Sequence, residues 1–141
     1  MVSFIGNGML LMLLLLLATT TYTWGISKRH VRITNELGGD LTLTVHCKSK
    51  DDDIGVKVLP PHASFEFSFR PLYVFKTQFY CRNTEFFCSF RWPGLDGIRW
   101  ADIYNYYRDD YCCSQCQWVV YKGGPCMYNF QTQLFDKCFN F

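Results

Sequence analysis

The sequence predicts an all-β fold, an antiparallel β-sandwich of about seven to nine short strands stabilised by disulfides. Three observations carry that expectation. Apolar and polar residues alternate with a period of two through much of the chain, as in strands with one buried face. Turn-forming groups such as Gly38-Gly39-Asp40, Pro60-Pro61, Pro93-Gly94-Leu95-Asp96-Gly97 and Gly123-Gly124-Pro125 interrupt the alternation. Eight cysteines, all beyond Gly25, follow an apolar leader, so they belong to an exported chain in which disulfides persist.

The leader is the first element. Met1 to Gly25 contains no Asp, Glu, Lys or Arg, and Met9 to Ala18 is uninterruptedly apolar. A spanning helix needs about 20 apolar residues, so this run is too short to cross a bilayer. It fits the apolar region of a secretory signal peptide, with polar Thr19 to Thr23 behind it and small Thr23 and Gly25 placing cleavage after Gly25. Residues 1–25 are therefore read as a signal peptide and residues 26–141 as one secreted domain without linkers, with no membrane span after cleavage. A domain of this size buries roughly two-thirds of its unfolded surface, enough for a core that disulfides staple rather than replace. The length excludes a multidomain enzyme. A formal charge of +2 argues against a nucleic-acid binder, whose affinity comes from neutralising phosphates.

Strands follow in order. Val31 and Ile33 alternate with Arg32 and Thr34; Leu41, Leu43, Val45 and Cys47 alternate with Thr42, Thr44 and His46. With Gly38-Gly39-Asp40 between them, the two segments read as a β-hairpin. Ser49 to Gly55 is a polar turn, and Val56 to Leu59 a short apolar piece stopped by Pro60-Pro61. Phe65, Phe67 and Phe69 alternate with Ser64, Glu66 and Ser68. Thr77 to Cys81 and Glu85 to Trp92 read as two strands, or as one strand after an irregular aromatic segment. Past the Pro93 to Gly97 turn, Ile98 to Tyr104 pairs back. Arg108-Asp109-Asp110 opens a loop into the cysteine cluster, Gln117 to Tyr121 is a strand, and Cys126 to Phe130 closes the sheet.

Residues with chemical potential are few. Cys113-x-x-Cys116 has zinc-ligand spacing and His46 adjoins Cys47, but a second C-x-x-C is missing and export favours oxidation. A thioredoxin-like redox site would need a βαβ unit beside the motif. The reading adopted is structural disulfides among Cys47, Cys81, Cys88, Cys112, Cys113, Cys116, Cys126 and Cys138. Their pairing is open, except that adjacent Cys112 and Cys113 cannot join without severe strain. No serine sits in G-x-S-x-G, the nucleophile elbow of one hydrolase class. Asp51-Asp52-Asp53 lacks the calcium-loop pattern, and three consecutive side chains cannot all face one ion. No catalytic, metal or cofactor site is assigned. Trp100, Tyr104, Tyr106, Tyr107 and Tyr111 are read mainly as packing, with a sugar or partner surface as the alternative.

Taken together, several strings resemble the plant self-incompatibility protein family, the S-protein homologues. They begin with Val31-x-Ile33-x-Asn35-x-Leu37 and the most specific segment, His46-Cys47-Lys48-Ser49-Lys50-Asp51-Asp52-Asp53-Ile54-Gly55. They continue through Phe86-Phe87-Cys88-Ser89-Phe90-Arg91-Trp92, Asp102-Ile103-Tyr104 and Arg108-Asp109 to Cys113-x-x-Cys116-x-Trp118 and Gly124-Pro125-Cys126. The resemblance implies a small secreted β-sandwich acting as an extracellular protein ligand, whose best understood relatives are pistil proteins recognised by a pollen receptor. It makes Cys47, Cys88, Cys113, Cys116 and Cys126 family-pattern cysteines. Cys81, Cys112 and Cys138 are additional, and Cys138 is placed to tie down the tail from Leu134 to Phe141.

The expected function is thus a monomeric, non-enzymatic ligand for a cell-surface or apoplastic protein, a membrane receptor among the options. Loops held by a rigid sandwich are where such contacts sit. The candidates are Asp51, Asp52 and Asp53; Leu95, Asp96 and Gly97; and Arg108, Asp109, Asp110 and Tyr111. A secreted defence protein acting on microbes and a carbohydrate-binding module are the competing readings. A charge of +2 and the absence of a basic amphipathic helix weigh against the first.

Overall fold

The computed structural model describes residues 2–20, 27–71 and 84–141. Among these residues an N-terminal helix, α1 (Val2–Thr20), precedes nine strands and one helical turn. The strands are β1 (Arg29–Asn35), β2 (Leu43–Lys48), β3 (Asp53–Leu59), β4 (Ser64–Phe69), β5 (Glu85–Arg91), β6 (Arg99–Asn105), β7 (Gln115–Tyr121), β8 (Gly124–Asn129) and β9 (Leu134–Cys138). The turn α2 (Tyr106–Asp109) links β6 to β7. No helix among the described residues is long and apolar enough to cross a membrane. The segment Thr77 to Cys81 and the cleavage point after Gly25 lie outside the described residues.

Two sheets form, one of five strands in the order β4-β1-β7-β8-β9 and one of four in the order β3-β2-β5-β6. Alternation in the sequence becomes alternation in burial: Val31 and Ile33 from β1 and Trp118 and Val120 from β7 face Leu43, Val45, Phe86 and Phe90 of the other sheet. The phenylalanines of β4 extend this core along one edge. Phe67 and Phe69 lie 5.1 and 4.6 Å, centroid to centroid, from Phe86, and Phe69 meets Tyr104 edge-on at 4.7 Å. Such pairs add to what burial alone contributes.

Three expectations about connectivity are corrected. The segments expected to form a hairpin, now β1 and β2, lie in opposite sheets. Gly38, Gly39 and Asp40 all have positive φ (76°, 61° and 54°), and the chain crosses between layers instead of folding back within one. Asn35, 1% exposed, fixes that crossing: its amide donates to the carbonyls of Leu41 and Leu59, and its oxygen accepts from the Leu37 N–H. Second, the sandwich is not wholly antiparallel, because β1 pairs parallel with β7. Third, Cys126 to Phe130 does not close its sheet; β9 adds an antiparallel edge strand beyond it.

Disulfides pin this arrangement at three places. Cys47–Cys88 joins directly paired residues of β2 and β5 inside the core. Cys113–Cys116 closes the turn leading into β7, and Cys126–Cys138 ties β9 to β8. Cys138 thus holds the tail, whose last residues turn inward. Phe139 lies 5.7 Å from Trp118, and Phe141 packs on Phe90 and Trp92 at 5.5 and 5.9 Å. Cys112 is the exposed free cysteine among the described residues, its thiol donating to the Arg108 carbonyl at 3.1 Å. Cys81 lies outside them.

Candidate functional site

The three candidate loops do not share one end of the sandwich. Lys48 pairs with Asp53 and Phe87, Glu85 pairs with Asn105, and the Tyr106 N–H donates to the Thr84 carbonyl. The β2–β3 loop, Thr84 and α2 therefore sit at the same end. β1 also begins there, since Arg29 bonds Asp110. The Leu95-Asp96-Gly97 turn joins β5 to β6 at the opposite end, closed by a Leu95 N–H to Trp92 carbonyl bond of 3.2 Å and with Leu95 packed against the core.

Within the β2–β3 loop, side chains build the turn. Ser49 Oγ accepts the N–H groups of Asp51 and Asp52 at 3.3 and 3.0 Å, and the Ser49 N–H donates to the Asp52 carbonyl at 2.8 Å. Asp53 Oδ1 accepts the Gly55 N–H at 2.8 Å and lies 2.6 Å from His46 Nε2. Gly55 takes φ 82° beside a register shift at Cys47/Lys48, a conformation glycine adopts without steric cost. The His46 hydrogen bond, then the Gly55 N–H, hold the Asp53 carboxyl below its ordinary pKa. Asp53 is thus committed to the loop, whereas Lys50, Asp51 and Asp52 point into solvent.

The α2 segment is an electrostatic frame rather than an open loop. Asp109, 0% exposed, accepts from Arg108 Nε and Nη2 at 2.6 and 2.7 Å and from the Asn105 N–H at 2.8 Å. The Arg108 guanidinium lies 5.4 Å from the Trp118 ring and 4.7 Å from Phe139, within cation–π range. Asp110 Oδ1 accepts from Arg29 Nε and Nη2 at 3.0 and 2.7 Å and from the Tyr104 hydroxyl at 3.2 Å. Burial, then the Asp110 charge and hydrogen bond, raise the Tyr104 pKa well above its usual value. Tyr107 (65% exposed) and Tyr111 (90%) project from the backbone that this frame holds, with Tyr107 edge-on to buried Tyr106 at 5.7 Å.

Alternation alone could not separate Tyr104 and Tyr106, which are buried, from Tyr107 and Tyr111. The Arg29–Asp110 pair joins residues 81 positions apart, and no local motif marks it. The Arg108 stack needed the tail's position, although the Phe139-x-Phe141 alternation was a visible signal that the tail packs. Among the described residues no group of three or more His, Cys, Asp or Glu could hold a metal ion.

The family described as plant self-incompatibility protein S1 matches residues 30–141. S-protein homolog 2 of Arabidopsis thaliana is 42% identical over 127 residues, covering 86% of this chain and 73% of that protein. S-protein homolog 3 of the same plant is 42% identical over 121 residues (83% and 74%), and S-protein homolog 29 is 33% identical over 113 residues (80% and 77%). No solved structure matches. With both a family match across the whole sandwich and relatives of this identity, the chain belongs to the plant self-incompatibility protein S1 family.

Proposed function

We propose that this chain is exported, loses residues 1–25, and acts as a monomeric, non-enzymatic extracellular ligand for a protein at the cell surface or in the apoplast. The observation that carries this reading is the shared end of the sandwich. Exposed Lys50, Asp51 and Asp52 stand there with Tyr107 and Tyr111 on a frame of buried ion pairs. Exposed aromatic rings with acceptors beside them, on a backbone fixed by ion pairs, suit a protein contact because a tyrosine side chain gives large contact area for few rotatable bonds.

The test is binding of secreted, oxidised protein to membranes and wall extracts of its own plant's tissues. Saturable binding that falls at least about tenfold in Tyr111→Ala, with the fold unchanged by circular dichroism, supports the reading; tyrosine hot spots contribute on that scale. Binding that fails to saturate, or that survives Tyr107→Ala, Tyr111→Ala and Asp52→Ala together, overturns it.

A further inference from the structure

The outer face of the four-stranded sheet carries side chains that the core does not use, and beyond Asp53, Lys48 and His46 the loop end does not use them either. Strand register lays them out in rows across β3, β2, β5 and β6. The first row is Asp53, Lys48, Phe87 and Asp102, the second Val56, His46, Ser89 and Trp100, and the third begins Val58, Thr44 and Arg91. A groove of about 260 Å³ follows the second and third rows, lined by Thr44, His46, Val56, Ser89, Arg91 and Ile98.

Charge on this face is segregated. The Asp53 carboxylate is taken up by His46 and Lys48, at 2.6 and 3.6 Å. Arg91 lies two rows away from both carboxylates, about 13 Å by the rise of a strand. It makes no ion pair among the described residues. Its guanidinium is a cation without a counter-charge among the described residues, next to the hydroxyls of Thr44 and Ser89, with Val56 and Ile98 on the groove walls. Trp100, 57% exposed and paired with Ser89, stands at the groove's margin, its ring 6.0 Å from Phe87.

The groove runs over β2 and β5, interior strands whose backbone groups are occupied by both neighbours. A peptide adding to a sheet pairs along a free edge, whereas the floor of this groove is β2 and β5, with the edge strand β3 contributing only the Val56 side chain. Whatever binds here is recognised by side chains: a guanidinium for an anion, hydroxyls and an imidazole for hydroxyl groups, and aliphatic walls for a C–H surface, with the Trp100 indole at the margin. A carboxylate, several hydroxyls and an apolar ring face occur together in a uronic acid residue. We infer that this groove binds an acidic, uronate-bearing oligosaccharide. Arg91 grips the carboxylate through its planar fork, Thr44 and Ser89 meet the ring hydroxyls, and Trp100 supports the sugar face. The site is separate from the Tyr107–Tyr111 end, so it stands or falls independently of the proposed protein contact.

The experiment titrates the secreted, oxidised protein with a short oligogalacturonate, the uncharged galactose oligomer of equal length, and a polyglutamate peptide of equal charge. Calorimetry gives affinity, and nuclear magnetic resonance follows the Trp100 indole N–H. Saturable binding of the oligogalacturonate, weakened by salt and shifting the Trp100 signal, is expected. Arg91→Gln should reduce affinity about tenfold or more, the loss of one charged hydrogen-bonded contact. Arg91→Lys, which keeps charge but not the fork, should fall between. Both replace an exposed side chain, so they remain decisive if Trp100→Ala fails to fold. Absence of binding, equal binding of the uncharged oligomer or of polyglutamate, or an affinity unchanged in Arg91→Gln would each overturn the inference.

Discussion

Asn35 illustrates how one buried polar side chain can fix a chain crossing. It bonds the carbonyls of Leu41 and Leu59 and the N–H of Leu37, joining the end of β1 to the segments that flank β2 and β3. Each buried group left without a partner costs about 1–3 kcal/mol, so Asn35→Ala should lower unfolding free energy by roughly 3 kcal/mol in a urea titration. Asn35→Asp is expected to be no better, because a carboxylate would face two carbonyl oxygens. Asp53 gives a pH-dependent counterpart. Its folded pKa lies below the unfolded value, first through His46 and then the Gly55 N–H. The stabilisation is therefore complete above the ordinary aspartate pKa of about 3.9 and disappears as pH falls through the lower folded value. Acid unfolding of Asp53→Asn should lack that component, whereas the parent protein should weaken progressively below about pH 4. At this scale the sequence was partly legible. Ser49 to Gly55 could be read as turn chemistry because its partners are neighbours; the Arg29–Asp110–Tyr104 cluster could not, because β1 and α2 meet only through the sheet.

At the scale of elements, β9 and the residues after it seal the molecule. Phe139 and Phe141 donate backbone N–H groups to Pro125 and Gly123 at 3.0 and 3.2 Å, so the tail continues the pairing begun by β9. Gly124 makes this possible: a Cβ there would stand 1.8 Å from the Phe139 carbonyl oxygen, and its φ is 148°. Gly124→Ala should cost about 1–3 kcal/mol and detach Phe139 from Trp118, which near-ultraviolet circular dichroism would register. The disulfides rank by the loops they close. Spacings of 41, 12 and 3 residues correspond to about 4, 3 and under 2 kcal/mol of chain-entropy stabilisation for Cys47–Cys88, Cys126–Cys138 and Cys113–Cys116. Paired serine substitutions should lower the melting temperature in that order, and alkylation of native protein should label no cysteine besides Cys81 and Cys112. Most strands were readable from period-two alternation, β2 and β4 most plainly. Their partners were not: alternation shows which face of a strand is buried but not which neighbour it joins, and the β1–β2 connection looked like a hairpin for that reason.

For the whole molecule, the predicted class holds because every level points to it: alternating strands, turn residues between them, and a core shared by two sheets. What sequence could not supply was the polarity of the sandwich, meaning which loops share an end. That arrangement follows from β1 lying between β4 and β7, a contact between distant parts of the chain that is fixed only when the sheet closes. The same feature governs how the protein can be handled. Any residues preceding Arg29 leave the domain beside Asp110, at the end bearing Tyr107 and Tyr111, whereas Phe141 reaches the Gly123 turn at the far end. An affinity tag or uncleaved leader at the N-terminus would therefore stand in front of the proposed contact surface, and one at the C-terminus would trail behind it. Surface-binding assays run with the two tagged forms should differ, the C-terminal form retaining the affinity of untagged protein. On this geometry, the proposed removal of residues 1–25 would do more than complete export: it would clear the face that a partner would meet.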